Sequence, residues 1–328
     1  MDSETDLGEY DRNIYETMED MKTSFIATVL NEEKTIDRFL ESIRIQSVKP
    51  DEIIITDGGS RDRTVEKIDA FQKKHSLPLL VLIKKGNRSI GRNTAIKKAK
   101  GEIILCSDAG CTLDKDWVRN ILKPFKDQTI DVVAGYYQGV AKNLFQKCLI
   151  PYVLVMPDQI DAKNFLPATR SMAFRKTIWG KAGMFPEQFA HNEDYVFAKK
   201  LSQLQKKIIF VKTAIVYWYP PETWKNAYVM FYRFAKGDAQ ARIYRPKVVL
   251  IFARYILCLL VLALYFMYHH SFLLFTFYFL LFLYIVWSIY KNYAYVKNSN
   301  AIYILPMLQF LSDGAVLIGT VEGMLNLF

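Results

Sequence analysis

Four acidic positions have the type and spacing for chemistry: Asp57, Asp108 and the adjacent pair Glu193 and Asp194. Asp57 and Asp108 each close a short apolar run and have glycine within two residues, in Asp57-Gly58-Gly59-Ser60 and Asp108-Ala109-Gly110. A carboxylate delivered to the end of a buried strand suits a divalent cation that bridges diphosphate oxygens. An isolated Asp in that setting reads instead as a turn residue that caps the next segment. Glu193 and Asp194 open a helical pattern, where the helix dipole stabilises acids, or where one of them serves as a general base. Residues 84–93 place Lys84, Lys85, Arg88 and Arg92 around Gly86 and Gly91. A basic, glycine-containing loop entering a helix suits a phosphate; the alternative is a solvated basic loop.

The elements that must position these groups follow from periodicity. Compact apolar runs at residues 24–30, 52–56 and 79–83 predict strands. Between them, Ile36, Phe39, Leu40 and Ile43, then Val65, Ile68 and Phe71, recur at helical spacing. Asn31 is expected as the N-cap of the first helix. Strand and helix in alternation predict a doubly wound parallel α/β sheet, whose ligands bind at the carboxyl ends of the strands. Asn31, Asp57 and Asp108 all fall at such ends, and the glycines after Asp57 let backbone approach a ligand closely. Trp117, Ile121, Leu122 and Phe125 mark a further helix with Asp114 or Asp116 as its cap. A strand over residues 169–174, a loop over 183–187 and a helix carrying Val196, Phe197, Leu201 and Leu204 complete the region. Neither G-x-G-x-x-G nor a Walker A loop is present, which disfavours nicotinamide dehydrogenases and P-loop enzymes.

Composition divides the chain. Of 328 residues with a formal charge of +10, the first 21 are acidic and lack apolar periodicity, and are expected to form a mobile tail or a loose surface helix. The positive charge lies downstream, much of it just before a long apolar region, so an anionic membrane surface is a better partner than nucleic acid. Cys106, Cys111, Cys148 and Cys258 form no CxxC pair or zinc spacing and read as reduced and structural. The acidic N-terminus does not resemble a secretory signal peptide.

Over residues 23–215 the motifs, in order, resemble those of the family 2 glycosyltransferases with the GT-A fold. Asn31-Glu32 matches the family's opening strand and Asn-Glu pair. Asp57-Gly58-Gly59-Ser60, with Asp62 after it, matches the Asp-Asp-Gly-Ser type motif, with Gly58 in place of the frequent second Asp. Arg92-Asn93 matches the Arg-Asn pair, Asp108-Ala109-Gly110 the metal-binding Asp-x-Asp, and Glu193-Asp194 the Glu-Asp pair. The resemblance implies a GT-A, Rossmann-like nucleotide-sugar-binding domain. It also implies Mg2+ or Mn2+ at Asp108, the nucleotide base at Asp57, and Asp194 as catalytic base beside Glu193. A nucleotide-diphosphate sugar is expected across Thr28, Asn31, Glu32, Asp57, Gly59, Arg88, Arg92, Asn93 and Asp108. Gly110 departs from the pattern, because it stands where the second metal-site Asp is usual; His191 is an additional candidate for the metal.

The expected organisation is a GT-A domain over residues 22–221, interfacial amphipathic helices over 222–247, and a transmembrane region over 248–328. Trp224, Tyr228, Phe231 and Ala235 form one stripe interleaved with Lys and Arg, which suits a membrane interface or a core-packing helix. Trp224 and Arg233 are candidate acceptor or interface contacts. Residues 248–268 and 271–290 are each long enough to span, with Arg254 placed to snorkel, and 301–321 is a third span expected to be interrupted by Pro306 and Asp313. Basic residues before the first span and in the polar loop 291–300 put the catalytic domain on the cytoplasmic side of a multi-pass cell-membrane protein. The reading is an inverting transferase for cell-envelope glycan, acting on a membrane-associated, lipid-linked acceptor, with a homo-oligomer open. Two rivals are weighed beside it. A processive polysaccharide synthase is opposed by the lack of a Gln-x-x-Arg-Trp motif. A non-catalytic nucleotide-sugar-binding membrane protein has Gly110 in its favour.

Overall fold

The computed structural model describes residues 21–325; the expected acidic tail, residues 1–21, lies outside them except for Met21. The described residues form two compact units, one within residues 21–138 and 157–219 and one within 139–156 and 220–325.

The first unit is built on an eight-stranded sheet of order β3-β2-β1-β4-β7-β6-β8-β5. β1 (Thr23–Val29), β2 (Glu52–Asp57), β3 (Leu79–Ile83) and β4 (Ile103–Cys106) are parallel. Their apolar runs are covered by α1 (Ile36–Arg44), α2 (Thr64–His75) and α3 (Arg88–Lys98). Ile36, Phe39, Leu40 and Ile43, the predicted stripe of α1, are all buried. The wholly parallel sheet expected from the alternation ends at β4. β7 (Met172–Arg175) runs antiparallel to β4 and to β6 (Val132–Gly139), and β5 (Cys111–Leu113) antiparallel to β8 (Ile208–Trp218). β7 follows a long excursion rather than a crossover helix, so no right-handed βαβ unit forces it parallel. The remaining helices of this unit are α4 (Trp117–Leu122), α6 (Lys176–Lys181) and α7 (Glu193–Gln203).

Asn31 is not the cap of α1. It adopts φ 56°, and Thr35 holds the cap position. The Asn31 side chain instead accepts from the Arg61 N–H at 2.9 Å while its own N–H donates to Ser60 Oγ at 2.8 Å, tying the end of β1 to the loop after β2.

The second unit contains α5 (Leu144–Val153), α8 (Trp224–Gln240), α9 (Pro246–Tyr268), α10 (Ser271–Val296) and α11 (Ala301–Leu325). Residues 139–156, expected within the catalytic domain, cluster here. α9, α10 and α11 are long and apolar enough to cross a membrane. Two expectations change. α10 runs on through Lys291 to Val296, so the polar loop is only residues 297–300, and α11 is continuous through Pro306 and Asp313. Asp313 is fully buried and accepts from Tyr255 Oη of α9 at 3.1 Å, from Tyr284 Oη of α10, and from Gln309 Nε2 at 2.9 Å. Pairing of this kind is how an ionisable group is tolerated within apolar helices. α8 buries Phe231 and Ala235 of its predicted stripe. α11 meets α8 through glycine: a Cβ on Gly319 would lie 2.5 Å from the Tyr232 carbonyl oxygen, and one on Gly323 2.6 Å from that of Lys236.

Candidate active site

Burial of β1, β2 and β4 drives their polar ends to one edge of the sheet, and the site is assembled there. Gly91 makes the assembly possible. A Cβ on it would sit 2.6 Å from Thr28 Cγ2, so only glycine lets α3 lie this close to β1. The Asn87 side chain caps α3 by accepting from the Ile90 N–H at 3.1 Å. The next residue after Gly91, Arg92, is thereby carried under the strand ends and is 1% exposed.

Arg92 is the hub. Its Nη1 donates to Glu193 Oε1 at 2.6 Å and its Nη2 to Asp108 Oδ1 at 2.9 Å. It thus joins the end of β4 to the start of α7, and two residues 85 apart in sequence share one guanidinium. Burial would lower the Arg92 pKa, but Glu193 and Asp108 outweigh it and hold the charge firmly. Glu193 is 3% exposed, and its Oε2 is buried without a hydrogen-bond partner. Asp108 is about a third exposed. Burial opposes its ionisation, yet Arg92, followed by Arg88 and Arg170, keeps its carboxyl below the usual range. Asp194 is half-buried, and its Oδ1 accepts from the Tyr195 N–H at 2.8 Å. Burial, then the charge of Glu193, pushes its pKa above the ordinary aspartate value. Glu32 is raised by burial in the same way. Burial also lifts the Cys106 and Cys111 thiols to about 12, and all four cysteines are free, as befits structural residues.

The remaining predicted residues divide. Asp57 is buried and folds into its own turn, where Oδ2 accepts from the N–H groups of Gly59 and Ser60, both at 2.9 Å. Gly59, at φ +101°, is required by that turn. Thr28 lies at the end of β1 beside Thr56 of β2. Arg88 is exposed at the first position of α3, within electrostatic reach of Glu32 and Asp108. Asn93 is brought to the same helix but is fully used: Nδ2 donates to the Phe185 carbonyl and Glu187 Oε1, and Oδ1 accepts from Trp179 Nε1 and the Phe185 N–H. Its side chain holds the loop at residues 185–187. In the second unit, Trp224 begins α8 and packs against Phe145, with ring centroids 4.6 Å apart, and Arg233 is exposed on the same helix.

For a metal, the residues offer little. Gly110 supplies no donor, Asp108 Oδ1 already accepts from Arg92, and among the described residues no three His, Cys, Asp or Glu groups come together. A cation fits here only as one shared between Asp108 and the phosphates of a ligand.

Sequence reasoning missed Arg170. It stands just before β7, and its guanidinium carbon lies 5.5 Å from the Tyr137 ring and 5.0 Å from the Trp218 ring. No motif marks it; the signal is an arginine two residues before a strand that pairs with β4.

A sequence profile described as Glycosyl transferase family 2 matches residues 24–175, and one described as Glycosyl transferase family group 2 matches residues 103–290, more than half of the chain. The chain belongs to the family 2 glycosyltransferases. Within the family it is 26% identical over 204 residues to a poly(ribitol-phosphate) β-glucosyltransferase from Bacillus spizizenii, covering 61% of this chain and 32% of that one. It is 25% identical over 206 residues to a cholesterol galactosyltransferase from Borreliella burgdorferi, covering 58% of each. The chain thus spans about a third of the first relative and somewhat over half of the second. Among solved structures, a mannosyltransferase from Pyrobaculum calidifontis in complex with GDP-Man and Mn2+ superposes with a TM-score of 0.60 at 17% identity, over 93% of this chain and 88% of that one. The GT-A fold of this family 2 chain follows from that likeness.

Proposed function

We propose that this family 2 chain is an inverting glycosyltransferase that moves a sugar from a nucleotide-diphosphate donor to a lipid-linked acceptor at the membrane. The observation that carries the reading is the buried Arg92, which locks Asp108 and Glu193 together beside Asp194 at the carboxyl edge of the sheet. The donor lies along that edge, over Thr28, Glu32, the Asp57 turn and Asp108. Asp194 takes the proton of an acceptor hydroxyl as that oxygen attacks the anomeric carbon from the face opposite the leaving diphosphate, which inverts the configuration. A carboxylate with a raised pKa is the stronger base for this step. Glu193 fixes Arg92, and Arg92 fixes Asp108, so the base and the phosphate end of the donor share one rigid frame. Mg2+ or Mn2+, when bound between Asp108 and the donor phosphates, would neutralise charge on the leaving group.

Support for a lipid acceptor comes from α9, α10 and α11, each long and apolar enough to span, and from the cholesterol galactosyltransferase among the relatives. Basic residues around Lys247 and Lys297 favour a cytoplasmic catalytic unit by the positive-inside rule. The test is Asp194→Asn in the full chain, assayed with a panel of uridine, guanosine and thymidine diphosphate sugars and a membrane lipid extract. The variant is expected to keep nucleotide-induced thermal stabilisation and to lose transfer by at least about a hundredfold. Undiminished transfer removes Asp194 as the base.

A further inference from the structure

We propose that Arg170 grips the leaving diphosphate of the donor from the side opposite Asp108, taking up the charge that a second acidic metal ligand would otherwise recruit through a cation. The inference rests on the transferase reading above and adds a diphosphate-binding residue to it.

The placement comes from the sheet. β4 and β7 pair antiparallel with Cys106 opposite Met172 and Leu105 opposite Ala173. Continued by two residues, that register sets Arg170 opposite Asp108. The continuation is pinned, because Ser107 Oγ donates to the Arg170 carbonyl at 2.8 Å. The side chain is not free to wander: the rings of Tyr137 and Trp218 both lie within 6 Å of its guanidinium carbon. It forms no ion pair among the described residues, in contrast to Arg92, which forms two. Arg170 is close enough to Asp108 to lower its pKa and to act on Asp194 as well. An arginine held on aromatic rings, with no ion pair, across the strand from a phosphate-end carboxylate and within electrostatic reach of the base is suited to the place where a leaving diphosphate gathers charge.

Gly110 completes the argument. A Cβ there would meet nothing within 4 Å, so the position opens onto free space. One carboxylate fewer means a weaker hold on a divalent cation, and it also means less repulsion of the diphosphate. A fixed guanidinium then neutralises the leaving group whether or not a cation is present, and its planar fork fits two phosphate oxygens at once.

The experiment compares the affinities of UDP and GDP with those of UMP and GMP for the full-length, detergent-purified protein by calorimetry, with Mg2+ and with EDTA. Wild type is expected to prefer the diphosphate in both conditions. In Arg170→Gln the affinity for the diphosphate should fall about ten- to a hundredfold, the weight of a hydrogen-bonded charge on phosphate, with monophosphate affinity unchanged. Arg170→Lys, which keeps the charge but not the fork, should fall between the two, and it carries the test if the Gln variant does not fold. An unchanged preference for diphosphate in both variants overturns the inference and leaves the transferase reading intact. So does unchanged nucleotide affinity with a raised KM for a polyprenyl phosphate acceptor, which would move Arg170 to the acceptor. Wild type that binds no nucleotide at all refutes the transferase reading and this inference together.

Discussion

Replacing Arg92 by Gln tests whether the hub is a true buried ion pair. The guanidinium makes hydrogen bonds of 2.6 and 2.9 Å to two carboxylates, and the Glu193 carboxylate is 3% exposed. Gln cannot reach both acids and carries no charge, so Glu193 is left buried against nothing positive. Breaking a buried pair on one side costs about 3–5 kcal/mol. Asp108, a third exposed, recovers water and adds little. Against a domain stability of roughly 5–15 kcal/mol this is a large loss. A unit of about 200 residues loses about 2–4 °C per kcal/mol, so the melting temperature should fall by roughly 6–20 °C. The assay is thermal unfolding of the purified full chain, followed by tryptophan fluorescence, for Arg92→Gln, Glu193→Gln and the double variant. Removing the stranded charge in the double variant should restore part of the loss, with a coupling of about 1–3 kcal/mol. A fall of under about 3 °C in Arg92→Gln, or strictly additive variants, would refute the buried-pair account.

Four further outcomes follow from the geometry. Asp194 must be ionised to accept a proton and its pKa is raised, so kcat/KM should fall on the acid side at a pH above the ordinary aspartate range; a profile flat down to pH 4 removes it as the titrating base. Its raised pKa also means that ionised Asp194 costs stability: the protein should lose stability at this group as pH rises through that pKa, and titrations of melting temperature for wild type and Asp194→Asn separate this contribution. Gly110→Asp enters open space and should fold normally while tightening Mn2+ binding in the presence of nucleoside diphosphate by about tenfold, read by calorimetry; equal metal affinity would mean that residue 110 does not face the phosphates. Gly319→Leu would drive a side chain into the Tyr232 carbonyl and should destabilise α8 against α11 by about 1–3 kcal/mol, seen as a lower melting temperature in detergent with nucleotide affinity unchanged.

The first half of the sheet was legible in the sequence because β1, β2 and β4 are buried on both faces and read as unbroken apolar runs. β8 was not, because residues such as Lys212 and Thr213 are exposed along it and no clean alternation survives. The acids singled out in the sequence stand at element boundaries, since Asp57 closes β2, Asp108 follows β4 and Glu193 opens α7, and their order resembles that of a known family. The basic partners were harder. Arg92 and Asn93 look alike as a polar pair on a loop, yet on α3 they differ by a helical step: Arg92 turns to the acids and Asn93 to the backbone of the loop at 185–187. Asn31 was read as a cap from its residue type, but the same side chain serves a left-handed turn just as well, and the long-range bond to Arg61 decides between them.

Asp313 bears on how the chain is made. An aspartate at the centre of a helix adds about 2.5–3.5 kcal/mol to the free energy of inserting that helix alone into a bilayer. Two of its three hydrogen-bond donors, Tyr255 and Tyr284, belong to the two preceding helices, which are synthesised first and joined by a tight turn. If the three helices cross the membrane as proposed, α9 and α10 enter as a hairpin and present both phenols before α11 emerges from the ribosome. The last helix is then received by its neighbours, and a chain with both tyrosines changed to phenylalanine would be expected to stall with α11 outside the bilayer.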